Sequence, residues 1–338
     1  MMYRIALLLA CFASLYGDSG YFFCIDGGGS KTILQVVNEE GRVLPLLKDG
    51  VESDKIITSG SNINVVGAEG VRHVLSALLD GVSLRDGRGA VGLRKLLPDS
   101  RVVAGMAGAG LPQNRQALVC LIQESGVDSE RILVMSDAEL ALQLVHDDGI
   151  VLIAGTGSIC FGKKGGALFR AGGLGRVLGD EGSGYQIGLQ ALKAALAEEY
   201  GWGTSTSLTP ALKKLFQTSE LKSLIPKINL GEMSPSKIAS GAPLVFDRAW
   251  AGDAVAQEII DRAAHDLGEL LAAVIDRASL FDCEVHLWGG VFKNEHSEEF
   301  VQKISASLPA ACRPLKMINN SLDNPAVLLA IQRSRGKS

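Results

Sequence analysis

Apolar and polar positions divide the chain into short strand-like runs, each followed by helical stretches. Tyr21–Asp26 (YFFCID) is an apolar run ending in an acid and then three glycines, and Thr32–Asn38 (TILQVVN) reads as a second strand. Glu39-Glu40-Gly41 turns the chain into Arg42–Leu47. Val71, Val74, Leu75, Leu78 and Leu79 recur at helical spacing and predict a helix over Val65–Leu79. Asp80–Lys95, polar and glycine-rich, reads as a connector. Arg101–Met106 predicts a strand, Gln113–Glu124 a helix, Arg131–Met135 a strand and Asp137–Val145 a helix. A second cycle opens at Gly149–Ala154 (GIVLIA), turns at Gly155-Thr156-Gly157-Ser158 and returns through Ile159–Phe161. From Glu181 to about Leu280 the pattern is mostly helical. Cys283–Trp288 (CEVHLW) is a late strand, followed by Gly289-Gly290, a helix from about Ser297, and a closing helix over Asp323–Gln332. Strand-rich openings, each followed by helices and each holding a glycine turn, indicate an α/β chain with a duplicated architecture. The two halves share no obvious sequence identity.

Composition narrows this reading. A length of 338 residues suggests about two domains. The net charge of −4 argues against a nucleic-acid binder, which would carry a basic face. Forty glycines exceed ordinary usage, yet they follow no Gly-X-Y period, and ten prolines are too few for a disordered chain. Aromatics are only 5%, so the core must rest on Ala, Leu, Val and Ile. The six cysteines form no CxxC pair and have no His at zinc-ligand spacing. Cys24 and Cys283 sit in apolar strand-like runs, as reduced thiols acting as small hydrophobes.

Residues 1–20 read as an apolar leader or extension. Ile5–Leu15 (IALLLACFASL) follows a lone Arg4 and is too short to span a bilayer, which takes about 20 apolar residues. Leu8-Leu9-Ala10-Cys11 is similar to a bacterial lipoprotein cleavage box, so export and a non-functional extension of a cytoplasmic protein compete. Reduced thiols favour the cytoplasm.

Asp26-Gly-Gly-Gly-Ser30-Lys31-Thr32 lies between two strands. That placement excludes a Walker A loop and a dinucleotide GxGxxG turn, both of which open a helix. A hairpin remains, whose backbone N–H groups can meet phosphate oxygens. Gly155-Thr156-Gly157-Ser158 repeats the device about 130 residues later, so the pair could grip one nucleotide from both sides of a cleft. Gly289-Gly290-Val291, with Lys293-Asn294, is a third point of close backbone approach, suited to adenine or ribose.

The set DGGGSKT (26–32), SDAELA (136–141), AGTGSIC (154–160), GGLGRVLGDEGSGY (172–185) and GGVFKN (289–294) resembles the N-acetylglucosamine kinase and BadF/BadG-type ATPase family, within the actin, heat-shock-chaperone and sugar-kinase superfamily. The resemblance covers about residues 21–335, and its most specific piece is GDEGSGY. It implies two actin-like (ribonuclease H-like) α/β domains with mixed sheets flanked by helices, and an active site in the cleft between them. The domains would be residues 21–147 and 148–321, with a C-terminal helix at 322–338 packing back on the first.

The resemblance also implies roles. Ser30 and Thr156 fall at phosphate contacts, with Gly28, Gly29, Lys31, Thr32, Gly155, Gly157, Gly290 and Asn294 around ATP. Asp137 falls on the catalytic acid, where a carboxylate at a strand end can take the proton of an attacking sugar hydroxyl. A helix N-cap is its ordinary alternative, which Ser136 or Asp137 could provide. Asp26 falls on the Mg²⁺-side carboxylate, acting through water. Asn62 (or Asn64), Ser158, Gly173, Leu174 and Asp180 border the sugar, and Glu181 suits the start of the next helix. The implied activity is ATP-dependent phosphorylation of the 6-hydroxyl of N-acetylglucosamine, with glucosamine, N-acetylmuramic acid or activation of a partner enzyme as alternatives. The activator branch bridges a dimer through cysteine-bound iron–sulfur, which these unclustered cysteines do not suit. A homodimer is left open.

One departure stands out. The family usually has GGWG, and Leu174 occupies the tryptophan position; a second aromatic, after the tyrosine of GSGY, is Gln186. The phosphate machinery is retained while the sugar platform is altered. His73, His146 and His296 read as surface or helix residues, and Trp202 and Trp250 as core.

Overall fold

The computed structural model describes residues 20–86, 89–142, 145, 148–312, 316–319 and 330. They fall into two compact units, one within Met1–Leu144 and Leu322–Ser338, the other within Val145–Ser321. The apolar leader, Cys11, His146 and most of the closing helical run lie outside the described residues.

In the first unit β1 (Tyr21–Gly27) and β2 (Lys31–Asn38) form an antiparallel hairpin. β3 (Val43–Leu44) pairs with the outer edge of β2. Three further strands, β4 (Leu46–Lys48), β5 (Val51–Ser53) and β6 (Ile56–Ser59), lead to helix α1 (Ile63–Leu79), and β6 also pairs with β2. β7 (Val82–Asp86) and β8 (Gly89–Gly92) precede the short helix α2 (Leu93–Leu96). β9 (Arg101–Met106) then lies parallel to β1, followed by helix α3 (Pro112–Gln123), and β10 (Ile132–Met135) lies parallel to β9. Helix α4 (Asp137–Leu142) starts two residues after β10.

The order β10-β9-β1-β2-β3 puts β1 and β9 in the middle, where both faces must be apolar. β9 is buried at all six positions, and alternate residues serve opposite faces. Phe23, Ile25, Leu34, Val102, Ala104 and Met106 join Val71, Val74 and Leu78 of α1 and Leu118 of α3. Phe22, Cys24, Val37, Val103 and Met135 join Leu140 of α4 and Ala330, itself fully buried. Burial pushes the Cys24 thiol far up, so it packs as an inert small hydrophobe.

The connector expected at Asp80–Lys95 is in fact part of a second, four-stranded antiparallel sheet of order β5-β4-β7-β8. The reason is visible in Val-Ser-Leu: Val82 and Leu84 are almost fully buried with Leu46, while Ser83 and Arg85 point away. Three residues of alternation between glycines are too short a signal to separate from a loop.

The second unit repeats the first sheet. β11 (Gly149–Ala154), β12 (Ser158–Lys164) and β13 (Ala167–Gly172) form an antiparallel meander; β14 (Glu284–Trp288) lies parallel to β11, and β15 (Lys316–Asn319) parallel to β14. The order β13-β12-β11-β14-β15 matches β3-β2-β1-β9-β10 position for position. Between β13 and β14 the chain is helical: α5 (Gly184–Glu199), α6 (Leu208–Phe216), α7 (Leu224–Asn229), α8 (Pro235–Ala239), α9 (Ala242–Trp250) and α10 (Ala254–Ala278). Helix α11 (Ser297–Ser307) follows β14. Ile150, Leu152, Val285 and Leu287 of the sheet pack with Leu267, Leu271 and Val274 of α10 in one large core.

Asp253 caps α10 by accepting from the Ala256 N–H at 3.0 Å, and its other oxygen accepts from Thr206 and Ser207 hydroxyls at 2.8 and 2.7 Å. Trp250 stacks between Phe246 and His296, as a core residue would. Trp202 departs from the expected core position: it sits in the turn after α5 and is 78% exposed.

Candidate active site

In the first unit three loops meet at the end of β1. The hairpin turn is closed by the Gly28 N–H, which donates to the Lys31 carbonyl at 2.9 Å. The Ser61 N–H donates to the Gly28 carbonyl at 3.0 Å, and the Ala107 N–H after β9 donates to the Gly27 carbonyl at 2.7 Å. Gly60 packs so closely on this turn that a Cβ there would lie 2.2 Å from the Gly29 carbonyl oxygen. Gly29, Ser30 and Lys31 are exposed at the tip. Thr32 is not at the tip: it is fully buried, and its hydroxyl bonds the Ser59 carbonyl and the Ser61 hydroxyl at 2.8 and 2.9 Å. It ties the hairpin to the loop before α1.

Asp26 is half-buried near the end of β1 and pairs in register with Gly105 of β9, which in turn pairs with Met135 of β10. Asp26 and the start of α4 therefore lie at the same end of the parallel strands. The cap of α4 is a reciprocal box. The Glu139 N–H donates to Ser136 Oγ at 3.1 Å, and Glu139 Oε2 accepts from the Ser136 N–H at 2.9 Å. Arg115 of α3 grips both oxygens of that carboxylate at 2.7 and 2.9 Å. Ser136 and Glu139 thus cap the helix reciprocally, and Asp137 is its first residue. The side chain of Asp137 lies outside the described residues.

Asn62 is the N-cap of α1, accepting from the Asn64 N–H at 3.1 Å. Asn64 Oδ1 accepts from Asn114 Nδ2 at 2.8 Å, and the same amide donates to the Gly108 carbonyl at 2.9 Å. Three asparagine amides thus gather around the loop after β9. Asn114 and Arg115 went unnoticed in the sequence because each lies far along the chain from its partners, on a helix with little else to mark it.

In the second unit the Gly155 N–H donates to the Gly157 carbonyl at 2.9 Å, closing a shorter turn. The start of α5 folds onto it: the Gly184 N–H donates to the Gly155 carbonyl at 2.8 Å and the Tyr185 N–H to Thr156 at 3.3 Å. Asp180 lies beside the turn with a left-handed backbone (φ 62°), uncommon for a residue other than glycine and a mark of functional sites. Its carboxylate accepts from the Ser158 N–H at 3.3 Å, and a Cβ at Gly157 would come within 2.9 Å of it. Burial raises the Asp180 pKa, and the nearby Glu181 charge adds to this; the Ser158 N–H opposes it only in part. The Ser158 hydroxyl is buried and donates to the Glu181 carbonyl at 2.6 Å.

After β14, Gly289 has φ 110° and lies against the Ala154 carbonyl, leaving backbone rather than side chain beside the turn. Gly290 is exposed. Asn294 is committed locally, donating to the Val291 carbonyl at 2.7 Å and accepting from the His296 N–H at 2.8 Å. Gly173 is half-buried after β13, and Leu174 is 63% exposed.

Both turns suit phosphate. Each is short, glycine-lined, set at a strand end and supplied with a hydroxyl, Ser30 or Thr156. Asp26, an oxygen donor partly open to water, suits a hydrated Mg²⁺ ion, which holds one or two carboxylates and keeps several waters.

Residues 24–311 match the BadF/BadG/BcrA/BcrD ATPase family. The chain belongs to that family. Among family relatives it is similar to an N-acetylmuramic acid/N-acetylglucosamine kinase of Clostridium acetobutylicum, at 32% identity over 93% of this chain and 98% of the relative. It is also similar to an N-acetyl-D-glucosamine kinase of Dictyostelium discoideum, at 30% identity over 77% of this chain and 80% of the relative. The fold matches that of a candidate N-acetylglucosamine kinase from Chromobacterium violaceum, with TM-score 0.67 and 20% identity over 93% of this chain and 99% of that one. It also matches a Streptomyces griseus ROK-family glucokinase bound to glucose and AMPPNP, with TM-score 0.54 and 20% identity over 92% and 98%. The two repeated sheets are therefore actin-like domains.

Proposed function

We propose that the chain is an ATP-dependent kinase that phosphorylates the 6-hydroxyl of an amino sugar, N-acetylglucosamine foremost. The observation that carries this reading is the pair of short glycine turns set at equivalent places in two sheets of the same strand order, the second with the carboxylate of Asp180 beside it. The names of the relatives support an amino-sugar acceptor.

In this reading Asp137 accepts the proton of the 6-hydroxyl as its oxygen attacks. ATP supplies the phosphoryl group when bound. Backbone N–H groups of Gly29 and Gly157, with Ser30, Lys31 and Thr156, hold phosphate oxygens, while Gly28 and Gly155 close the two turns and let the phosphates approach the backbone; Gly290 and Asn294 flank the adenosine. Asp26 holds Mg²⁺ through water. Asp180 accepts hydrogen bonds from sugar hydroxyls, and Asn62, Gly173 and Leu174 border the ring; Ser158, expected there as well, is buried and instead holds the Asp180 carboxylate through its N–H. No helix among the described residues is long and apolar enough to cross a membrane. An enzyme that consumes ATP works where ATP is abundant, and the cytoplasm is the compartment we assign to it.

ADP release measured with a panel of sugars tests the reading. Hexosamines or N-acetylhexosamines are expected to stimulate turnover and to yield the 6-phosphate. Asp137→Asn is expected to lower kcat by about 10²- to 10⁴-fold, the usual contribution of a general base. No stimulation by any sugar, together with an unchanged Asp137→Asn variant, overturns it.

A further inference from the structure

The segment from Gly172 to Gly179 joins β13 to Asp180 and is held at both ends. The Gly173 N–H donates to the Ser158 carbonyl at 2.9 Å, and Arg170 donates to the Gly172 and Gly173 carbonyls at 3.1 and 2.5 Å. Arg170 is itself backed by Arg277, which donates to its carbonyl at 2.9 Å. The Leu178 N–H closes a turn onto Gly175 at 3.2 Å, and Gln186 donates to the Gly179 carbonyl at 3.3 Å. Left-handed glycines at 172, 173 and 175 let so short a segment bend this often.

What this pinned segment presents is unusual. Leu174, Val177 and Leu178 are 63%, 84% and 76% exposed, and Arg176 stands exposed among them. Single exposed aliphatics need no explanation, but three within five residues, on a held segment that leads into a candidate sugar acceptor, leave apolar side chains available to a ligand there. Of the two arginines here, Arg170 is spent on the backbone, while Arg176 bonds none of the described residues. A surface of short aliphatics around a cation matches a ligand group that is small, partly apolar and anionic.

We propose that Arg176 is a specificity residue for N-acetylhexosamines carrying an ether-linked carboxylate, such as the O-lactyl group of N-acetylmuramic acid. This rests on the reading of Asp180 as the sugar-hydroxyl acceptor. The lactyl methyl lies on Leu174, Val177 and Leu178, and the carboxylate pairs with the Arg176 guanidinium. That pairing replaces the family's aromatic platform, lost with Leu174 and Gln186. N-acetylglucosamine has no anion to offer Arg176, so the contact separates the two sugars. A charge-assisted bond of this kind corresponds to about 10- to 100-fold in affinity.

The test uses the full chain, wild type and Arg176→Ala, Arg176→Lys, with N-acetylmuramic acid, its carboxyl-reduced alcohol and N-acetylglucosamine. ADP release gives kcat/KM, and calorimetric titration gives binding without turnover. The expected result is a loss of about 10- to 100-fold for N-acetylmuramic acid in Arg176→Ala, a partial loss in Arg176→Lys, and changes under about twofold for the other two sugars. Equal losses on all sugars, no loss on any, or a wild type that takes N-acetylglucosamine but neither binds nor uses N-acetylmuramic acid overturns the proposal. If no sugar is phosphorylated while Arg176-dependent binding persists, the kinase reading fails and the specificity assignment stands.

Discussion

The β1–β2 turn and the β11–β12 turn occupy the same place in two sheets of identical strand order, yet they are built differently. The first is braced by backbone: Gly60 abuts the Gly29 carbonyl and Ser61 bonds the Gly28 carbonyl. Beside the second, the nearest obstacle to a Cβ at Gly157 is the carboxylate of Asp180, a side chain with chemistry of its own. Topology fixed where the turns lie, and the bracing determines what each can tolerate. The first turn is rigid and independent, whereas the second is coupled to an acid assigned to the sugar.

Between the two turns, the largest expected effect concerns that acid. Asp180→Asn should lower kcat/KM for the sugar by about 10- to 150-fold, the worth of hydrogen bonds to a charged group. Its folded pKa is raised, so at neutral pH the folded state carries a charge it holds less comfortably than the unfolded chain does, and this penalty fades as pH falls through the raised pKa. Asn keeps an acceptor for Ser158 and tolerates a left-handed backbone, so Tm should rise while activity falls; a lowered Tm would count against this account. In the wild type, KM for the sugar should climb on the acid side as the carboxyl protonates.

The next effect separates the turns directly. Gly60→Ala meets backbone that cannot step aside and should cost about 2 kcal/mol or more in stability, with a raised KM for ATP. Gly157→Ala meets the end of a side chain and should leave Tm within a few degrees while raising KM for the sugar. Matching thermal shifts in the two variants would erase the contrast.

A smaller effect is expected at Arg115, which grips Glu139 from a half-exposed position. Such a pair is worth about 1 kcal/mol at most in stability. Arg115→Met should therefore melt near the wild type, yet lose several-fold in kcat with a shifted pH profile, because α4 no longer holds Asp137 at one angle. An unchanged pH profile would reduce the pair to a surface contact.

The smallest change in activity belongs to Asp253. Burial alone would raise its pKa, but hydrogen bonds from Ser207, Ala256 N–H and Thr206 outweigh it and hold the carboxyl at about 2. A depressed pKa contributes stability above the ordinary value near 3.8, and that stability is lost as pH falls towards 2. Asp253→Ala should cost about 1–2 kcal/mol at neutral pH, less below pH 3, and leave the kinetic constants at 25 °C nearly unchanged.

The glycine turns were legible in the sequence as hairpins because each lies between two apolar strand-like runs. A helix cap at Ser136 or Asp137 could be read as well, since capping is a local matter, whereas Glu139 as the reciprocal partner of Ser136 came only from the structure. What stayed hidden depended on distance or brevity. Asn114 reaches Asn64 across 50 positions with no local pattern, and Val82–Leu84 carries one cycle of alternation. The left-handed backbone of Asp180 was also out of reach, because sequence names the residue and the fold alone sets its φ.

Ala330 carries a last consequence. It is fully buried in the core of the first unit, against Phe22, Cys24, Val37 and Leu140. During synthesis at about 5–20 residues per second, Phe22 emerges long before its partner, roughly 15 seconds to a minute earlier. The first unit to leave the ribosome is thus among the last to close, and in the interval the back of β1 stays open to water and to chaperones.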